Sequence, residues 1–384
     1  MNVLTIITLL FTVAYVALIS YYYSGWRRLR LFVPVPGNLQ TLVTIIIPAR
    51  NEAHNIKGLL ESIDAQNFNK KFLDVIVVDD FSTDNTAAMV RKSGYSYVRL
   101  ISLAEYVPVD FPLKAYKKKA IEVAIENAKG ELMITTDADC RPGSNWLFAT
   151  VSMYEKYKPV MIAGPVNFFY DSSFLGKFQT LDFLSLVGIA GASIRNGFYN
   201  LCNGANLAFT KQAFKAVDGY NDIDYIPTGD DMMLMHKLGK KFPGKIMFNK
   251  CVEAIVYTHT EKDFSTFWRQ RVRWTSKSTH YEDKRITWIL IFAYLFNALL
   301  LLNLILGLFQ PHYLRLAMGQ FLMKICIDTL FTYSVTKFFK RENFLWLVLP
   351  MQVAHVIYIL FIGPAGAAGK YYWKGREVRT NANK

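Results

Sequence analysis

Leu132-Met133-Ile134-Thr135-Thr136-Asp137-Ala138-Asp139-Cys140 is the stretch on which the reading of this chain turns. Its first five residues are apolar or β-favouring and lead into two carboxylates at i and i+2, the pattern of a buried strand that ends in an acidic loop. Alternate side chains of an extended segment share a face, so Asp137 and Asp139 converge if strand geometry persists through Ala138. Two such carboxylates, with water and phosphate oxygens in the remaining positions, suit Mg2+ or Mn2+. A solvated turn is the plain alternative for an isolated Asp-x-Asp, so the neighbouring segments must decide.

Working outward, Val43 to Ile47 is a continuous apolar run ended by Pro48 and followed by Ala49-Arg50-Asn51-Glu52. Val75 to Val78 is a second run, leading directly into Asp79-Asp80-Phe81-Ser82-Thr83-Asp84-Asn85-Thr86. Uninterrupted apolar runs of this length predict strands buried on both faces. Ile56, Leu59, Leu60 and Ile63 at helical spacing follow the first strand, and a helix from Thr86 to Lys92, capped by Asp84 or Asn85, follows the second. Tyr97 to Ile101 and Leu132 to Thr136 complete four strands, with a helix from Lys117 to Lys129 between them. This alternation predicts an α/β domain on a parallel sheet, with carboxylates at the C-terminal ends of two strands, the edge where open sheets bind ligands. The lack of Gly-x-Gly-x-x-Gly after the first strand disfavours a dinucleotide fold. A receiver-type phosphoacceptor reading of Asp79-Asp80 fits poorly with a long chain that carries membrane segments.

Of the 384 residues, 52% are hydrophobic, and the formal net charge is +14. Residues 1–26 hold no charged side chain and end in Tyr21, Tyr22, Tyr23 and Trp26 before Arg27, Arg28 and Arg30, which predicts a retained transmembrane anchor rather than a cleaved signal. Ile286 to Leu314 and Asn343 to Gly369 are uncharged, and Leu316 to Val335 is apolar apart from Lys324 and Asp328, whose i, i+4 spacing predicts an ion pair on one helix face. Residues 286–369 are therefore a C-terminal transmembrane region, and 370–384 a basic tail. Basic residues at both membrane flanks place residues 27–285 in the cytoplasm, in a multi-pass protein of the plasma (inner) membrane. Three C-terminal spans would put the tail outside against its charge. A broken or re-entrant segment at Pro350 or Gly363-Pro364 would resolve that conflict. The basic residues are scattered or clustered at membrane flanks, which points to the lipid bilayer and a phosphorylated substrate and not to nucleic acid. Cys140, Cys202, Cys251 and Cys326 show no Cys-x-x-Cys pairing and read as reduced thiols.

Ile47-Pro48-Ala49-Arg50-Asn51-Glu52, Val77 to Thr86 and Thr135 to Asp139 resemble, in this order, motifs of the family 2 glycosyltransferases. Gly204-Ala205-Asn206-Leu207-Ala208-Phe209, Gly229-Asp230-Asp231 and Gln270-Arg271-Val272-Arg273-Trp274 extend the resemblance across residues 40–280. It takes in ceramide glucosyltransferase-like and polysaccharide synthase-like members. It implies the A-type (GT-A) fold, a nucleoside diphosphate sugar as donor, with a UDP-sugar expected, and Mg2+ or Mn2+ as cofactor. Carried over by position, Glu52 and Asp80 contact the nucleoside, Asp137 and Asp139 bind donor and metal, and Lys117 and Lys118 face the diphosphate. A solvated run, Lys117 to Lys119, is the alternative for the lysines.

Gly229-Asp230-Asp231 departs from the family's Thr-Glu-Asp or Gly-Glu-Asp at Asp230. Asp231 matches the general base, which a bound anion and low-dielectric walls would push up toward working pH. Asp230 is either a second catalytic carboxylate or a cap for the helix through Leu238. Asn206, Gln270, Arg273 and Trp274 fall on the acceptor and diphosphate side, with Arg273 at the diphosphate and Trp274 at the acceptor or lipid mouth. Phe264 to Ser278 is amphipathic and reads as an interfacial helix, Leu175 to Ile194 as a second; His236 and His259 have no assigned role.

The resulting expectation is a metal-dependent inverting glycosyltransferase acting on a membrane lipid or lipid-linked acceptor at the cytoplasmic face. A processive polysaccharide synthase, in which Gln-x-x-Arg-Trp is prominent, is one alternative; the small number of spans argues against a secretion channel. A non-catalytic nucleotide- or lipid-binding membrane scaffold is another, opposed by the intact Asp80, Asp139 and Asp231.

Overall fold

The computed structural model describes residues 2–35, 37–108, 114–277, 281–368, 370–373 and 376–379. Helix α1 (Val3–Arg28) starts where the Asn2 side chain accepts from the Thr5 N–H, and it ends in Arg27 and Arg28, cations that suit the negative end of its dipole. Beyond a linker come β1 (Val43–Ala49), α2 (Ile56–Asp64), β2 (Leu73–Asp79), α3 (Thr86–Arg91), β3 (Val98–Ser102), α4 (Tyr116–Asn127) and β4 (Leu132–Thr135). The four strands pair in parallel in the order β3-β2-β1-β4, so the C-terminal ends of β1, β2 and β4 meet at one edge. Ile45, Ile46, Ile47, Val75, Ile76 and Val77 are wholly buried, and each such side chain contributes about 1.5–3 kcal/mol.

Pro48 does not end the first strand as its sequence suggests. Thr136 N–H donates to Ile46 O, and Asp80 N–H donates to Ala49 O, so residues 46 and 48 face β4 while 49 faces β2. β4 pairs only as far as Ile46, which leaves the missing Pro48 N–H without a ladder partner to lose.

The chain continues through β5 (Arg141–Pro142), α5 (Trp146–Tyr157), β6 (Met161–Ala163), β7 (Val166–Phe168), α6 (Phe174–Arg195), β8 (Leu207–Thr210), α7 (Lys211–Ala216), α8 (Asp230–Lys241), β9 (Ile246–Phe248) and β10 (Val256–Thr258). β8 joins β4 antiparallel and extends the sheet to β3-β2-β1-β4-β8-β6-β9, while β5-β10-β7 form a small second sheet. Helix α9 (Phe264–Thr275) follows, opened by a capping box between Asp263 and Thr266. Then come α10 (Lys284–Gly307), α11 (Pro311–Phe339), α12 (Val348–Ala367) and a hairpin of β11 (Lys370–Trp373) and β12 (Arg376–Arg379).

Among the described residues three helical segments are long and apolar enough to cross a membrane: Val3–Arg28, Lys284–Gly307 and Glu342–Ala367. α1 and α11 run side by side, joined at one end by Asn2 on the Tyr313 hydroxyl (2.9 Å) and near the other by Trp26 Nε1 on Ser334 O (3.0 Å). Lys324 and Asp328 pair at 2.6 Å as their spacing predicts, and Tyr15 of α1 and Gln352 of α12 also donate to Asp328. The two ends of α12 both return to the α/β domain. Before it, Phe344 packs beside Tyr170; at its end, a Cβ on Gly366 would touch Thr275; beyond it, Arg376 reaches Asp80. α12 is one continuous helix despite Pro350 and Pro364, and its return, not a break, brings the tail back to the domain.

α6 differs from its expected interfacial position. Gly188 and Gly191 let it approach so closely that a Cβ would lie 2.4 Å from Val335 Cγ2 and 2.9 Å from Trp26 Cζ3, and most of the helix is buried. Lys250 locks the end of α1 to the domain, its Nζ donating to Trp26 O at 2.8 Å and Leu29 O at 3.1 Å while lying over the Trp26 ring.

Candidate active site

One end of the cleft is built from the loops after β1 and β2. Arg50 Nη1 donates to Asp80 O and Phe81 O, each at 2.8 Å, and Asn51 Oδ1 accepts from Thr83 N–H at 2.8 Å. Glu52 N–H donates to Thr86 Oγ1, and Ala53 N–H to Asp84 Oδ2. This mutual bracing turns Glu52 and Asp80 toward a cavity of about 520 Å³ that they line together with Lys117, Asp137, Asp139, Gln270 and Arg273. Asp80 is only 3% exposed, and burial raises its pKa.

The floor is the turn after β4. Thr258 Oγ1, at the end of β10, donates to Asp139 Oδ2 at 3.1 Å, so the second sheet positions the carboxylate presented by the first. Lys117 Nζ lies 2.8 Å from Asp137 Oδ1 and 3.5 Å from Asp230 Oδ2. Burial works against its charge, but Asp137 and Asp230 more than offset that and hold the ammonium protonated. Lys118 is different. It is 1% exposed and donates to Ile223 O and Ile226 O at 2.6 and 2.9 Å, tying down the loop before α8, with burial pulling its pKa down to about 8. The expected donor role of Lys118 is thus not matched by its position: neighbouring helix residues point to different sides.

Gly229 stands at φ +80°, the left-handed region that favours glycine, and is itself the cap of α8; Asp230 does not cap it. Asp231 Oδ2 accepts from Gly204 N–H at 3.1 Å, Oδ1 accepts from Met232 N–H at 2.7 Å, and Lys277 Nζ lies 3.7 Å from Oδ1. A Cβ on Gly204 would come within 3.2 Å of Asp230 Oδ2 and 3.6 Å of Lys117 Nζ, so this backbone seals the pair from behind. Burial pushes the Asp231 carboxyl up, but Lys277, Lys117 and the two N–H donors lower it further, leaving it below the usual range. The expectation of a raised pKa fails because two cations, not apolar walls alone, surround the group.

Along α9, Arg269, Gln270 and Arg273 face the cleft. Gln270 Nε2 donates to Glu261 Oε1 at 2.7 Å. Arg271 points the other way, 2.9 Å from Asp182 of α6, and its guanidinium lies between the Phe267 and Trp274 rings at 5.0 and 4.3 Å. Trp274 packs on Arg271 and beside Phe183 and is not part of the cleft wall, in contrast to its expected place at an acceptor mouth. Asn206 is also outside the cleft wall and is buried: it accepts from Trp146 Nε1 at 2.9 Å and donates to Pro165 O and Ala254 O at 2.8 Å. The described part of the expected interfacial helix has its inner face, Phe267 and Arg271, buried against protein, with Phe264 exposed.

With this geometry established, comparison with known proteins decides the family. The sequence matches Glycosyl transferase family 2 over residues 44–216 and Glycosyl transferase family group 2 over residues 132–361, more than half of the chain. The chain belongs to the family 2 glycosyltransferases. Poly-beta-1,6-N-acetyl-D-glucosamine synthase of Staphylococcus epidermidis is 26% identical over 234 residues, 60% of this chain and 53% of that protein. The synthase of Staphylococcus aureus strain COL is 26% identical over 235 residues, with the same two shares. The chain therefore spans about half the length of these curated relatives. The mannosyltransferase PcManGT from Pyrobaculum calidifontis, solved with GDP-Man and Mn2+, superposes with a TM-score of 0.55 at 18% identity, covering 93% of this chain and 99% of that one. The fold is GT-A, with apolar helices flanking the domain.

In this glycosyltransferase, Glu52, Asp80, Lys117, Asp137, Asp139, Gln270 and Arg273 come together at one cleft, with Asp230 joined to it through Lys117 and Asp231 next to Asp230 on α8. Among the described residues no group of three or more His, Cys, Asp or Glu side chains gathers as a self-sufficient metal site. The pair Asp137 and Asp139 instead fits a cation whose other ligands are phosphate oxygens and water. Sequence reasoning missed Lys277 beside Asp231, Thr258 on Asp139 and Arg269 in the cleft wall. Arg269 alone carried a signal, one helical turn before Arg273 on the same face. His236 and His259 lie outside the cleft wall, and all four cysteines are free thiols.

Proposed function

We propose that the chain is a membrane-anchored, metal-dependent inverting enzyme that moves one sugar from a nucleoside diphosphate sugar, a UDP-sugar by the resemblance of its motifs, to a membrane lipid or lipid-linked acceptor at the cytoplasmic face. Lys117 carries the reading: one ammonium spans Asp137 on the cleft floor and Asp230 beside Asp231, so donor carboxylates and base lie within a single side chain's reach. Asp137 and Asp139 would hold Mg2+ or Mn2+, which when bound supplies positive charge against the diphosphate. The Mn2+ and GDP-Man bound to the mannosyltransferase of similar fold are in keeping with this.

The chain's own residues account for the rest. Lys117, Arg269 and Arg273 face the leaving diphosphate and counter the charge that grows on it. The Asp231 carboxylate has about four lone-pair positions, of which the Gly204 and Met232 N–H groups take two, leaving room for an acceptor hydroxyl, while Lys277 at 3.7 Å supplies a counter-charge. As that oxygen bonds to the anomeric carbon, its proton passes to Asp231, and the bond to the diphosphate breaks with its electron pair. A single displacement of this kind inverts the anomeric centre. α9, which carries Gln270 and Arg273 at the cleft, rests its other side on the apolar α12, so one helix separates the cleft from a surface suited to a lipid.

A processive polysaccharide synthase is the second reading, favoured by the names of the 26% identical relatives. Purified enzyme in lipid nanodiscs should release nucleoside diphosphate from one of UDP-glucose, UDP-N-acetylglucosamine or GDP-mannose with Mg2+ or Mn2+. Undiminished release in EDTA would remove the metal role. Product eluting as a polymer on a sizing column would select the synthase.

A further inference from the structure

The C-terminal hairpin returns to the cleft and lays one side chain across its nucleoside end. Arg376 Nη1 donates to Asp80 Oδ2 at 2.9 Å and Nη2 to Asp80 Oδ1 at 3.0 Å. The guanidinium carbon lies 3.5 Å from the centre of the Tyr116 ring and 6.0 Å from that of Phe81. Asp80 is otherwise buried and lines the same cavity as Asp137 and Asp139. A flat group that stacks on an aromatic ring while its edge N–H groups meet a carboxylate is what a nucleobase also presents.

We propose that Arg376 is an internal competitor for the donor's nucleobase, so that the hairpin covers the Asp80 and Tyr116 end of the cleft and must lift before a donor binds. The inference rests on the donor-cleft reading above. Closure is strong enough to matter, because a bidentate guanidinium–carboxylate pair on a buried acid is among the tighter polar contacts. It is also reversible. The hairpin has only two strands of four residues, Lys370–Trp373 and Arg376–Arg379, and an isolated pair of strands is marginally stable. Arg50 stands close enough that Arg376 adds to burial in lowering its pKa, a like-charge cost that is relieved when the hairpin leaves. A nucleoside diphosphate with Mn2+ gains a contact at Lys117 and, through the cation, at Asp137 and Asp139, none of which Arg376 makes, and so can displace it.

Calorimetric titration of the full chain with UDP and with GDP, each with Mn2+, compares the native protein with Arg376→Ala. If the hairpin is closed in roughly nine molecules of ten, the variant should bind whichever nucleotide the enzyme accepts about tenfold more tightly. Arg376→Lys, which keeps the charge but loses the fork and flat face, should fall between. Equal or weaker binding by Arg376→Ala, with Asp139→Asn abolishing binding, would overturn the competitor while leaving the donor cleft intact. No binding by native protein or by Arg376→Ala would overturn both. Limited trypsin cleavage after Arg376, quantified by mass spectrometry, supplies a second readout: nucleotide with Mn2+ should accelerate it, and an unchanged rate would refute lifting of the hairpin.

Discussion

In the proposed mechanism Asp231 is the base, and Lys277 is its counter-charge at 3.7 Å. Asp231→Asn keeps the shape and much of the hydrogen bonding to Gly204 and Met232 but removes the proton acceptor. Turnover should fall about 10²- to 10⁴-fold, as for loss of a positioned base, while nucleotide affinity by calorimetry stays near native. Near-native turnover would move the base to Asp230. The pH profile gives an independent check. The proposed base must be deprotonated to act, and Lys277 and Lys117 hold the Asp231 pKa below the ordinary carboxylate value against the upward push of burial. The acid limb of kcat/KM should therefore lie at low pH, and Lys277→Met, by deleting one of those cations, should shift it to higher pH. A limb that does not move would show that another group limits the rate.

At the scale of elements, α9 carries the cleft's Gln270 and Arg273 on one face, and its other face is seated by Arg271 on Asp182 of α6. Both partners are nearly inaccessible, with side chains 2% and 9% exposed. Asp182→Ala leaves an unpaired cation in the interior and should cost about 3–5 kcal/mol in denaturant unfolding. Adding Arg271→Met should recover much of that, since both charges are then gone. If the double variant is as unstable as the single one, packing and not charge compensation seats the helix. The same arrangement explains why Trp274 is drawn away from the cleft wall and half-buried. It stacks on Arg271, so Gln270 and Arg273 of the Gln-x-x-Arg-Trp motif line the cleft while Trp274 packs against protein.

Across the whole molecule, α1 and α11 gather their N-terminal ends away from the α/β domain, whereas α12 begins and ends beside it. In sealed vesicles, a cysteine at Asp283 and an epitope on the C-terminal tail should be accessible from the same side, and a cysteine at Gln310 from the opposite one. Background labelling is removed by first replacing the exposed Cys326. Labelling of the tail and Gln310 from one side would contradict a returning α12.

The four parallel strands, the acidic turns after β2 and β4, and the ion pair of Lys324 with Asp328 were legible in the sequence, because burial on both strand faces and i, i+4 spacing leave periodic traces in a single segment. The run Asp137-Ala138-Asp139 marked a cleft floor only together with the strand before it and the other motifs in order. Direction around a helix was not decided there. Lys117 and Lys118 are equivalent by type and neighbourhood, yet one reaches Asp137 and the other the carbonyls of Ile223 and Ile226, a difference made by what packs on α4. Only the tertiary structure put Lys277 beside Asp231 and so reversed the expected direction of its pKa. The same holds for Arg376, which meets Asp80 across 296 residues of chain. A local pattern records which face is buried; charge compensation between distant segments exists only once folding has brought them together.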